Sequence, residues 1–485
     1  MADNNLRPAP DQECVAIADY VANHTIQSDL AYSTARYCLM DALSSAFLAL
    51  SHVECTRLLG PIVLNTRVPH GARVPGTHYK LDPILAAFNI GTLIRWLDFN
   101  DTWLAAEWGH PSDNLGAILA VSDYISRKNV ARKKPPVLMR DVLTLMIKAY
   151  EIQGIFALEN SFNRVGLDHV ILVKVASAAI AMQLLGGSEE DIINVVSHAW
   201  LDGQSLRTYR HAPNTGSRKS WAAGDATSRA VRLAWLVKKD KTGCPSALTA
   251  KTWGFYDVLF KGKPFSLPRP LGSYVMENIL FKISYPAEFH AQTAVECAIE
   301  LHDEVIHRLD KIEKIVLTTQ ESAIRIINKT GPLYNYADRD HCLQYMAAAG
   351  LLFGNLTAEY YDDAFANDPR IDRLRDMMQV VEDPQFSQDY MDPDKRSIAN
   401  AMQIYFKDGT HTKKIQINYP VGHKRRREEG IPLLIKKFET SFALHFPKEK
   451  TTEMTALFLN QEKLEKMPVN EFMELWVKEK PVKNA

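Results

Sequence analysis

Residues 96–114 read WLDFNDTWLAAEWGHPSDN, and this stretch guides the interpretation of the whole chain. It mixes three tryptophans with carboxylates, a histidine and hydroxyl side chains. A core helix rarely carries so many carboxylates, because burying an unpaired charge is costly. A solvated loop, in turn, rarely carries three tryptophans. The composition therefore predicts a pocket with aromatic walls and converging polar groups, the usual form of a small-molecule site. A helix end with exposed capping residues is the alternative.

Apolar helices are predicted on both sides of this stretch, at 81–97 and 115–126. The other helical patterns of the first half lie at 29–50, 139–161, 169–185, 189–197 and 227–238. Ser28 or Asp29 is placed to cap the first of these. Strand-like alternation is scarce before about residue 274, so the first half is predicted to be an all-α bundle.

The pattern changes in the second half. Charged and apolar residues alternate at 311–319, 401–406 and 413–419, as they do in strands. Asp408 and Gly409 lie between the last two segments and predict a hairpin turn. Helical patterns lie at 290–304, 339–353, 369–378 and 432–476.

Together these patterns predict a mainly α protein with a large all-α helical domain and a smaller inserted α+β domain. We expect residues 1–273 and 422–485 to form the helical domain and residues 274–421 to form the insertion. The length of 485 residues agrees, because one simple core rarely serves so long a chain.

The charges and the N-terminal sequence restrict the class of protein. Lysines and arginines number 57 and so do aspartates and glutamates, which leaves no overall field for nucleic acid or a membrane surface. The first residues, MADNNLRPAPDQE, lack the apolar run of a signal peptide. Apolar runs elsewhere are interrupted before they could span a bilayer. A cytoplasmic protein is therefore expected.

Neither a metal nor a cofactor is predicted. The six cysteines form no CxxC pair, so their spacing supports neither a zinc ribbon nor an iron–sulfur cluster. The chain also lacks GxGxxG, GxxxxGK[ST], HExxH and GxSxG. Nucleotide cofactors, zinc peptidase chemistry and a serine-hydrolase nucleophile consequently have no support in the sequence.

His110 is the candidate for proton transfer within the opening stretch. It follows Asp98 and Asp101, and a nearby carboxylate can fix the tautomer of a histidine ring. Histidine gives or takes a proton near neutral pH, as a general acid or base must. A capping role is the alternative for a histidine that precedes a proline.

Residues 203–221, GQSLRTYRHAPNTGSRKSW, form the most cationic stretch of interest. Arg207 and Arg210 could each hold a carboxylate through two hydrogen bonds, whereas Lys219 could act as a point charge or proton donor. A basic surface loop is the alternative.

Two further segments carry candidate residues. Lys282, Tyr285 and His290 lie in FKISYPAEFH at the predicted domain boundary, and clefts between domains often bind ligands. A charged linker is an equally good interpretation. His169 precedes an apolar helix, where a capping role is favoured.

These clusters favour a substrate with several carboxylates and proton transfer beside one of them. Cations or N–H groups can stabilise the enolate-like transition state formed when a proton is removed next to a carboxylate. Loss of a β-hydroxyl would also need a general acid. A dehydratase, a decarboxylase and an isomerase all remain compatible with the composition.

Long segments of the chain resemble the MmgE/PrpD family, and the resemblance covers essentially the full length. The segments are 95–114, 160–170, 202–234, 272–296 and 337–345. The resemblance implies a helical domain with an α+β lid, usually in a homodimer, and metal-independent dehydration of 2-methylcitrate in propionate breakdown. Action on citrate is also expected. The alternatives are cis-aconitate decarboxylase, another activity of the family, and a non-catalytic carboxylate-binding protein.

The resemblance also implies roles for individual residues. The family's active-site pattern falls on Asp98, Thr102 and His110, and on Lys219 and Lys282. In the decarboxylase branch the histidine comparable to His169 precedes small residues, whereas 170–172 are Val, Ile and Leu here, which favours the dehydratase. The predicted catalytic residues are Asp98, Asp101, His110, Lys219 and Lys282, and the predicted substrate-binding residues are Thr102, His169, Arg207, Arg210, Tyr285 and His290.

Overall fold

A computed structural model describes residues 5–201 and 203–478, and the chain is mainly helical, as predicted. The helices up to residue 278 are α1 (Gln12–Asn23), α2 (Asp29–Ala49), α3 (Val53–Thr56), α4 (Pro83–Arg95), α5 (Leu115–Ala131), α6 (Met139–Glu159), α7 (Val170–Leu184), α8 (Glu189–Leu201), α9 (Arg218–Asp240), α10 (Phe255–Leu259) and α11 (Tyr274–Asn278). The later helices are α12 (Gln292–Val305), α13 (Glu321–Ile327), α14 (Tyr336–Arg339), α15 (Leu343–Phe353), α16 (Asp363–Ala366), α17 (Pro369–Asp376), α18 (Pro384–Met391), α19 (Arg427–Ala443), α20 (Lys448–Leu459), α21 (Gln461–Lys466) and α22 (Val469–Glu474).

The strands are short and fall into three sheets. They are β1 (Ala72–Arg73), β2 (Lys80–Leu81), β3 (Trp103–Leu104), β4 (Trp108–Gly109), β5 (Ile312–Thr319), β6 (Met378–Glu382), β7 (Asn400–Phe406) and β8 (Ile415–Ile417). β1 pairs with β2 and β3 pairs with β4, both antiparallel. The largest sheet has the order β6-β5-β7-β8.

Side-chain caps determine where α2 and α4 begin. The Ser28 hydroxyl accepts a hydrogen bond from the Ala31 N–H, which confirms Ser28 as the cap of α2. The Asp82 carboxylate accepts two hydrogen bonds from the first turn of α4, where Pro83 is the first residue. The helix predicted from residue 81 therefore begins two residues later.

Glycines allow α4 and α9 to cross at very short range. A Cβ added to Gly224 would lie 2.5 Å from the carbonyl oxygen of Phe88, and one added to Gly91 would lie 2.8 Å from the Cα of Gly224. Contacts this short exclude any larger residue without movement of the backbone. The crossing brings Arg95, at the end of α4, near Lys219, at the start of α9.

The first half is not entirely helical, which corrects the all-α prediction. Trp103 pairs with Gly109 and Leu104 with Trp108 in the opening stretch, and Pro111–Asn114 follows as a 3₁₀ turn. Ala72–Arg73 pairs with Lys80–Leu81 in the same way. Strands of two residues are too short to show the alternation by which strands are predicted.

The main sheet agrees with the predicted strands but contains one more. β7 and β8 pair antiparallel across the turn at Asp408 and Gly409, which confirms the hairpin, and Gly409 has a φ of +82°. The helix predicted to reach residue 378 ends at Asp376, and Met378–Glu382 forms the missed strand β6, parallel to β5. β6 lies at the sheet edge and is largely exposed, so it lacks a clear apolar alternation.

Two large apolar cores and two small clusters lie within the described residues. The first is formed mainly by the helices of the first half together with α19 to α22, and α19 packs against α2. The second contains residues between Leu280 and Phe406, together with Leu104 and Trp108 from the β3–β4 pair. In the parts that the structure describes, no helix combines the length and apolar character needed to cross a membrane.

Candidate active site

The Asp98 carboxylate is the centre of a buried polar cluster. Asp98 follows the end of α4 and has a φ of +51°, in the left-handed region that favours glycine. Its Oδ1 accepts a hydrogen bond from Lys282 Nζ at 2.5 Å and lies 2.8 Å from an Arg95 nitrogen. Lys282 Nζ also donates to the Asp98 carbonyl oxygen at 2.7 Å. These contacts hold Asp98 in its unusual conformation.

Three further groups face the same carboxylate at slightly longer range. His110 Nε2 lies 3.6 Å from Asp98 Oδ1, whereas Lys219 Nζ and His341 Nε2 lie 3.9 Å and 3.7 Å from Oδ2. Burial acts to raise the pKa of Asp98, but the charges of Arg95 and its other cationic neighbours hold that pKa well below its usual value. Asp98 is therefore ionised.

The contacts of His110 identify its tautomer. Nδ1 lies 2.7 Å from the Asp101 carbonyl oxygen and 3.3 Å from the Thr102 hydroxyl. Because a carbonyl oxygen can only accept, we assign the hydrogen to Nδ1, which leaves the lone pair of Nε2 facing Asp98. Burial, and after it the charge of Arg95, lowers the pKa of His110 well below its usual value. The ring is therefore neutral.

Asp101 contacts His110 through its backbone rather than its carboxylate. The carboxylate accepts hydrogen bonds from the Tyr150 hydroxyl at 2.6 Å and from the Ser112 N–H at 3.1 Å. Burial raises the pKa of Asp101 to about 6. The contact that could orient His110 is therefore made by the Asp101 carbonyl oxygen, not by the carboxylate on which the prediction rested.

Lys219 is held by residues from the second half of the chain. Its Nζ lies 2.5 Å from Asp340 Oδ2 and 3.3 Å from His341 Nδ1. The other Asp340 oxygen, Oδ1, lies 2.9 Å from the same His341 nitrogen. Burial lowers the pKa of Lys219 although Asp340 and Asp98 oppose the shift. Asp340 thus joins a lysine and a histidine through its two oxygens.

Lys437, from α19, joins the backbone segments that carry Asp98 and Lys282. Its Nζ donates to the carbonyl oxygens of Phe99 and Lys282, at 2.6 Å and 2.8 Å, and to Asp41 Oδ1 at 2.7 Å. All three ammonium hydrogens therefore have acceptors. One buried side chain joins α2, the opening stretch, the Lys282 segment and α19.

Arg207 and Arg210 are paired with an internal carboxylate. Arg210 binds both oxygens of Asp168, at 2.5 Å and 3.2 Å, and Arg207 lies 3.5 Å from the same carboxylate and over the Trp108 ring. Burial acts to raise the pKa of Asp168, but Arg210 and the other nearby cations hold that pKa below its usual range. The two arginines, predicted as carboxylate clamps, hold a carboxylate of the chain itself in this structure.

His169 joins this arginine group to the Asp98 cluster. Its ring lies 5.8 Å from that of His110, and its Nδ1 is 3.5 Å from Asp168 Oδ1. Within the described part of the chain, neither ring nitrogen has a hydrogen-bond partner. His169 consequently has unused hydrogen-bonding capacity beside His110, as a residue that contacts substrate would need.

Tyr285 and His290 make their observed contacts with other groups. His290 lies 2.8 Å from Glu288 Oε1 and 3.1 Å from the Tyr390 hydroxyl. Tyr285 is half-buried and lines a cavity of about 600 Å³, together with Phe99, Ile283 and Lys437. Substrate binding by Tyr285 and His290 stays a prediction.

Arg95, Asp340 and His341 belong to the cluster but were absent from the predicted set. Arg95 is the first residue of the family-like segment 95–114, and the other two lie in the segment 337–345. The family resemblance of these two segments was the signal in the sequence that could have identified the three residues. Their residues meet only because the chain folds back over more than 200 positions, which composition and spacing do not reveal.

A cleft adjoins the cluster where the two halves of the chain meet. It has a volume of about 400 Å³, and its lining includes Trp96, Ser220 and Arg339. These residues directly follow or precede Arg95, Lys219 and Asp340 in the chain. The side chains of Asp98, Lys219 and Lys282 are themselves at most 2% exposed.

Metal ligands form no comparable group. Across residues 5–201 and 203–478, no set of three or more histidine, cysteine, aspartate or glutamate side chains is arranged to hold a metal ion.

Buried lysines, an arginine and histidines around one carboxylate, between a helical bundle and an α+β unit, define a site for proton transfer on a polycarboxylate. Two family models match the sequence. The model of the MmgE/PrpD N-terminal domain matches residues 15–268, and the model of the C-terminal domain matches residues 285–462. The chain belongs to the MmgE/PrpD family.

Named relatives are similar over nearly the whole chain. The 2-methylcitrate dehydratase of Cupriavidus necator is 61% identical over 97% of this chain and 98% of its own length. That of Escherichia coli K12 is 60% identical over 98% and 99%. The mitochondrial 2-methylcitrate dehydratase of Yarrowia lipolytica is 56% identical over 98% of this chain and 92% of its own length.

Proposed function

We propose that the chain dehydrates 2-methylcitrate to 2-methyl-cis-aconitate in propionate catabolism, with some activity on citrate. The observation that carries this proposal is the identity of about 60%, over nearly the full length, to proteins named 2-methylcitrate dehydratase. The reaction breaks one C–H bond and one C–O bond on neighbouring carbons and forms the C=C bond between them.

The charges of the Asp98 cluster support a substrate with three carboxylates. Arg95, Lys219 and Lys282 supply three buried cations, whereas Asp98 and Asp340 supply two anions. Buried cations can bind the carboxylates of a trianion strongly, because charges interact more strongly away from water. We assign these cations to carboxylate binding and to stabilisation of the charge that develops as the proton leaves.

His110 is proposed as the general base. Its Nδ1 hydrogen is directed at the Asp101 carbonyl oxygen, so Nε2 can accept the proton from the carbon that bears the methyl group. A neutral ring can take a proton but has none on Nε2 to give, which favours the role of base over acid. We place Thr102 and His169, which border the ring, in contact with substrate.

We also propose that residues 274–421 act as an α+β lid over a helical domain formed by 1–273 and 422–485. The contacts of Lys219 with Asp340 and of Lys282 with Asp98 support this division, because each joins the two parts at the site. Closure would exclude water and complete the set of catalytic groups. We also propose a homodimer, on the family resemblance, and light scattering would test it. The cytoplasmic location stays a prediction.

Product analysis tests the proposed reaction. The purified protein would be incubated separately with 2-methylcitrate, citrate and cis-aconitate, and the products identified by NMR. We expect 2-methyl-cis-aconitate from the first acid and a slower reaction with citrate, since one methyl group changes discrimination by about 1–3 kcal/mol. CO₂ release from cis-aconitate without dehydration would instead identify a decarboxylase, and no turnover of any acid would indicate a binding protein.

Treatment with EDTA tests metal independence. We expect unchanged turnover of 2-methylcitrate after EDTA treatment and gel filtration, because we assign both proton transfers to side chains. Loss of activity that iron or magnesium restores would contradict this expectation.

A further inference from the structure

His341 faces the same carboxylate as His110, but from the other side. His341 Nε2 lies 3.7 Å from Asp98 Oδ2, and His110 Nε2 lies 3.6 Å from Asp98 Oδ1. Both distances exceed those of a normal hydrogen bond. One histidine comes from the opening stretch and the other from the segment after α14. Dehydration needs two proton carriers that face neighbouring atoms, and these two nitrogens flank one small region.

The group that contacts Nδ1 of His110 is neutral, whereas the group that contacts Nδ1 of His341 is charged. His110 Nδ1 contacts a neutral carbonyl oxygen, that of Asp101, at 2.7 Å. His341 Nδ1 contacts a carboxylate oxygen of Asp340 at 2.9 Å. A carboxylate stabilises an imidazolium more than a carbonyl does, because the hydrogen bond then joins opposite charges. The contacts therefore suit His110 to accept a proton and His341 to donate one.

Charged groups on several elements determine whether His341 carries a proton. Asp340, Asp98 and Glu288 face it with negative charge, and Lys219 faces it with positive charge. Burial, and after it Lys219, lowers the pKa of His341 to about 4. A bound trianion would place more negative charge beside Lys219 and the ring, and so favour the protonated form.

We propose that His341, supported by Asp340, is the general acid that protonates the departing hydroxyl; this assignment rests on the dehydration proposed above. His110 Nε2 takes the proton from the methyl-bearing carbon, and the electron pair of that C–H bond forms the C=C bond. The C–O bond breaks with its pair on oxygen, His341 Nε2–H gives its proton to that oxygen, and water leaves. Exchange of protons with solvent then restores both rings.

Substitutions in the His341–Asp340 pair test the assignment. His341→Gln removes the acid, and Asp340→Asn keeps the ring but removes its carboxylate support. The matched control is His302→Gln, because His302 lies in the same half of the chain and contacts the Leu351 carbonyl oxygen. For each variant, kcat and KM for 2-methylcitrate would be measured from about pH 4 to about 9.5, and thermal melting would verify folding.

We expect His341→Gln to lower kcat by about 10²–10⁴-fold, with KM within about threefold of wild type, and to abolish the alkaline fall of kcat. Asp340→Asn should move that alkaline fall to lower pH, since the imidazolium loses its counter-charge. If His341→Gln fails to fold, the pH profile of Asp340→Asn tests the assignment of the general acid instead. The control should match wild type.

Three results would overturn the assignment while wild type turns 2-methylcitrate over: a normal kcat in His341→Gln, a change confined to KM, or an alkaline fall that both variants retain. A wild-type protein that leaves 2-methylcitrate unchanged would instead refute the proposed function and this assignment with it.

Discussion

At the scale of single residues, His110 is the sharpest test of the site. His110→Ala should lower kcat for 2-methylcitrate by about 10²–10⁴-fold, the usual contribution of a general base. His445→Ala is a matched control, because His445 also contacts a backbone carbonyl oxygen, that of Phe47. His445 lies just after α19, outside the Asp98 cluster. A folded His110→Ala protein with the kcat of wild type would remove His110 from the mechanism.

Asp113 links the opening stretch to the pH dependence of stability. Burial raises the pKa of Asp113 to about 7, although Arg95 opposes the shift. An acid with a raised pKa contributes stability that is complete below its unfolded pKa, near pH 4, and that is lost as pH rises through 7. Asp113→Asn removes this titration while Asn100 can still donate a hydrogen bond to the new side chain.

We therefore expect the melting temperature of Asp113→Asn to rise relative to wild type between pH 4 and pH 8. A shift of about three pKa units corresponds to roughly 4 kcal/mol across this range. Asp303→Asn, at an exposed position of α12, is the control and should follow wild type. Parallel melting curves for Asp113→Asn and wild type at all pH values would contradict the raised pKa.

At the scale of elements, the crossing of α4 and α9 leaves no room for a side chain at Gly224. Gly224→Ala should destabilise the protein by about 1–3 kcal/mol, because its Cβ would meet the carbonyl oxygen of Phe88 at 2.5 Å. Gly216→Ala is the control, since no atom lies within 4 Å of the Cβ position there. Urea unfolding would measure both. Equal stability of the two variants would show that α4 and α9 separate easily.

Elements with a strong apolar period were predictable from the sequence. The helix predicted at 139–161 is observed at Met139–Glu159, and the strand predicted at 311–319 at Ile312–Thr319. Short or exposed elements were not, because β3 and β4 have two residues each and most of β6 faces solvent. Periodicity identifies an element only when one face is buried over several residues.

The site was predictable where it is local in sequence. Asp98 and His110 lie 12 positions apart, so their association was visible in one segment. Arg95 and His341 have no such local signal: Arg95 is the last residue of an apolar helix, and His341 lies 243 positions after Asp98. Proximity in sequence also does not determine contacts, since His290 lies near Lys282 in the chain but contacts Glu288 and Tyr390 in the fold.

At the scale of the whole molecule, contacts between the two halves should control substrate affinity. Arg325 of α13 donates to the Asn163 side chain at 2.5 Å and thus joins the proposed lid to the helical domain. Arg325→Ala should raise KM for 2-methylcitrate roughly fivefold with little change in kcat, because losing about 1 kcal/mol of closure lowers the population of the binding-competent form.

Arg308→Ala is the matched control, since Arg308 pairs with Asp408 inside the same half of the chain. Steady-state kinetics at one pH would compare the two variants with wild type. An unchanged KM in Arg325→Ala, or the same rise in both variants, would argue against a role for closure in binding.

The contacts of Lys437 also have a consequence for the time at which the chain becomes active during synthesis. Asp41 is made early and lies in α2, yet its cationic partner is added almost 400 residues later. Until α19 leaves the ribosome, Asp41 lacks the ammonium that donates to it, and the carbonyl groups of Phe99 and Lys282 lack their shared donor. A nascent chain can therefore fold its first helices well before it can assemble the geometry around Asp98. The backbone segments around Asp98 therefore gain these contacts only after Lys437 has been synthesised.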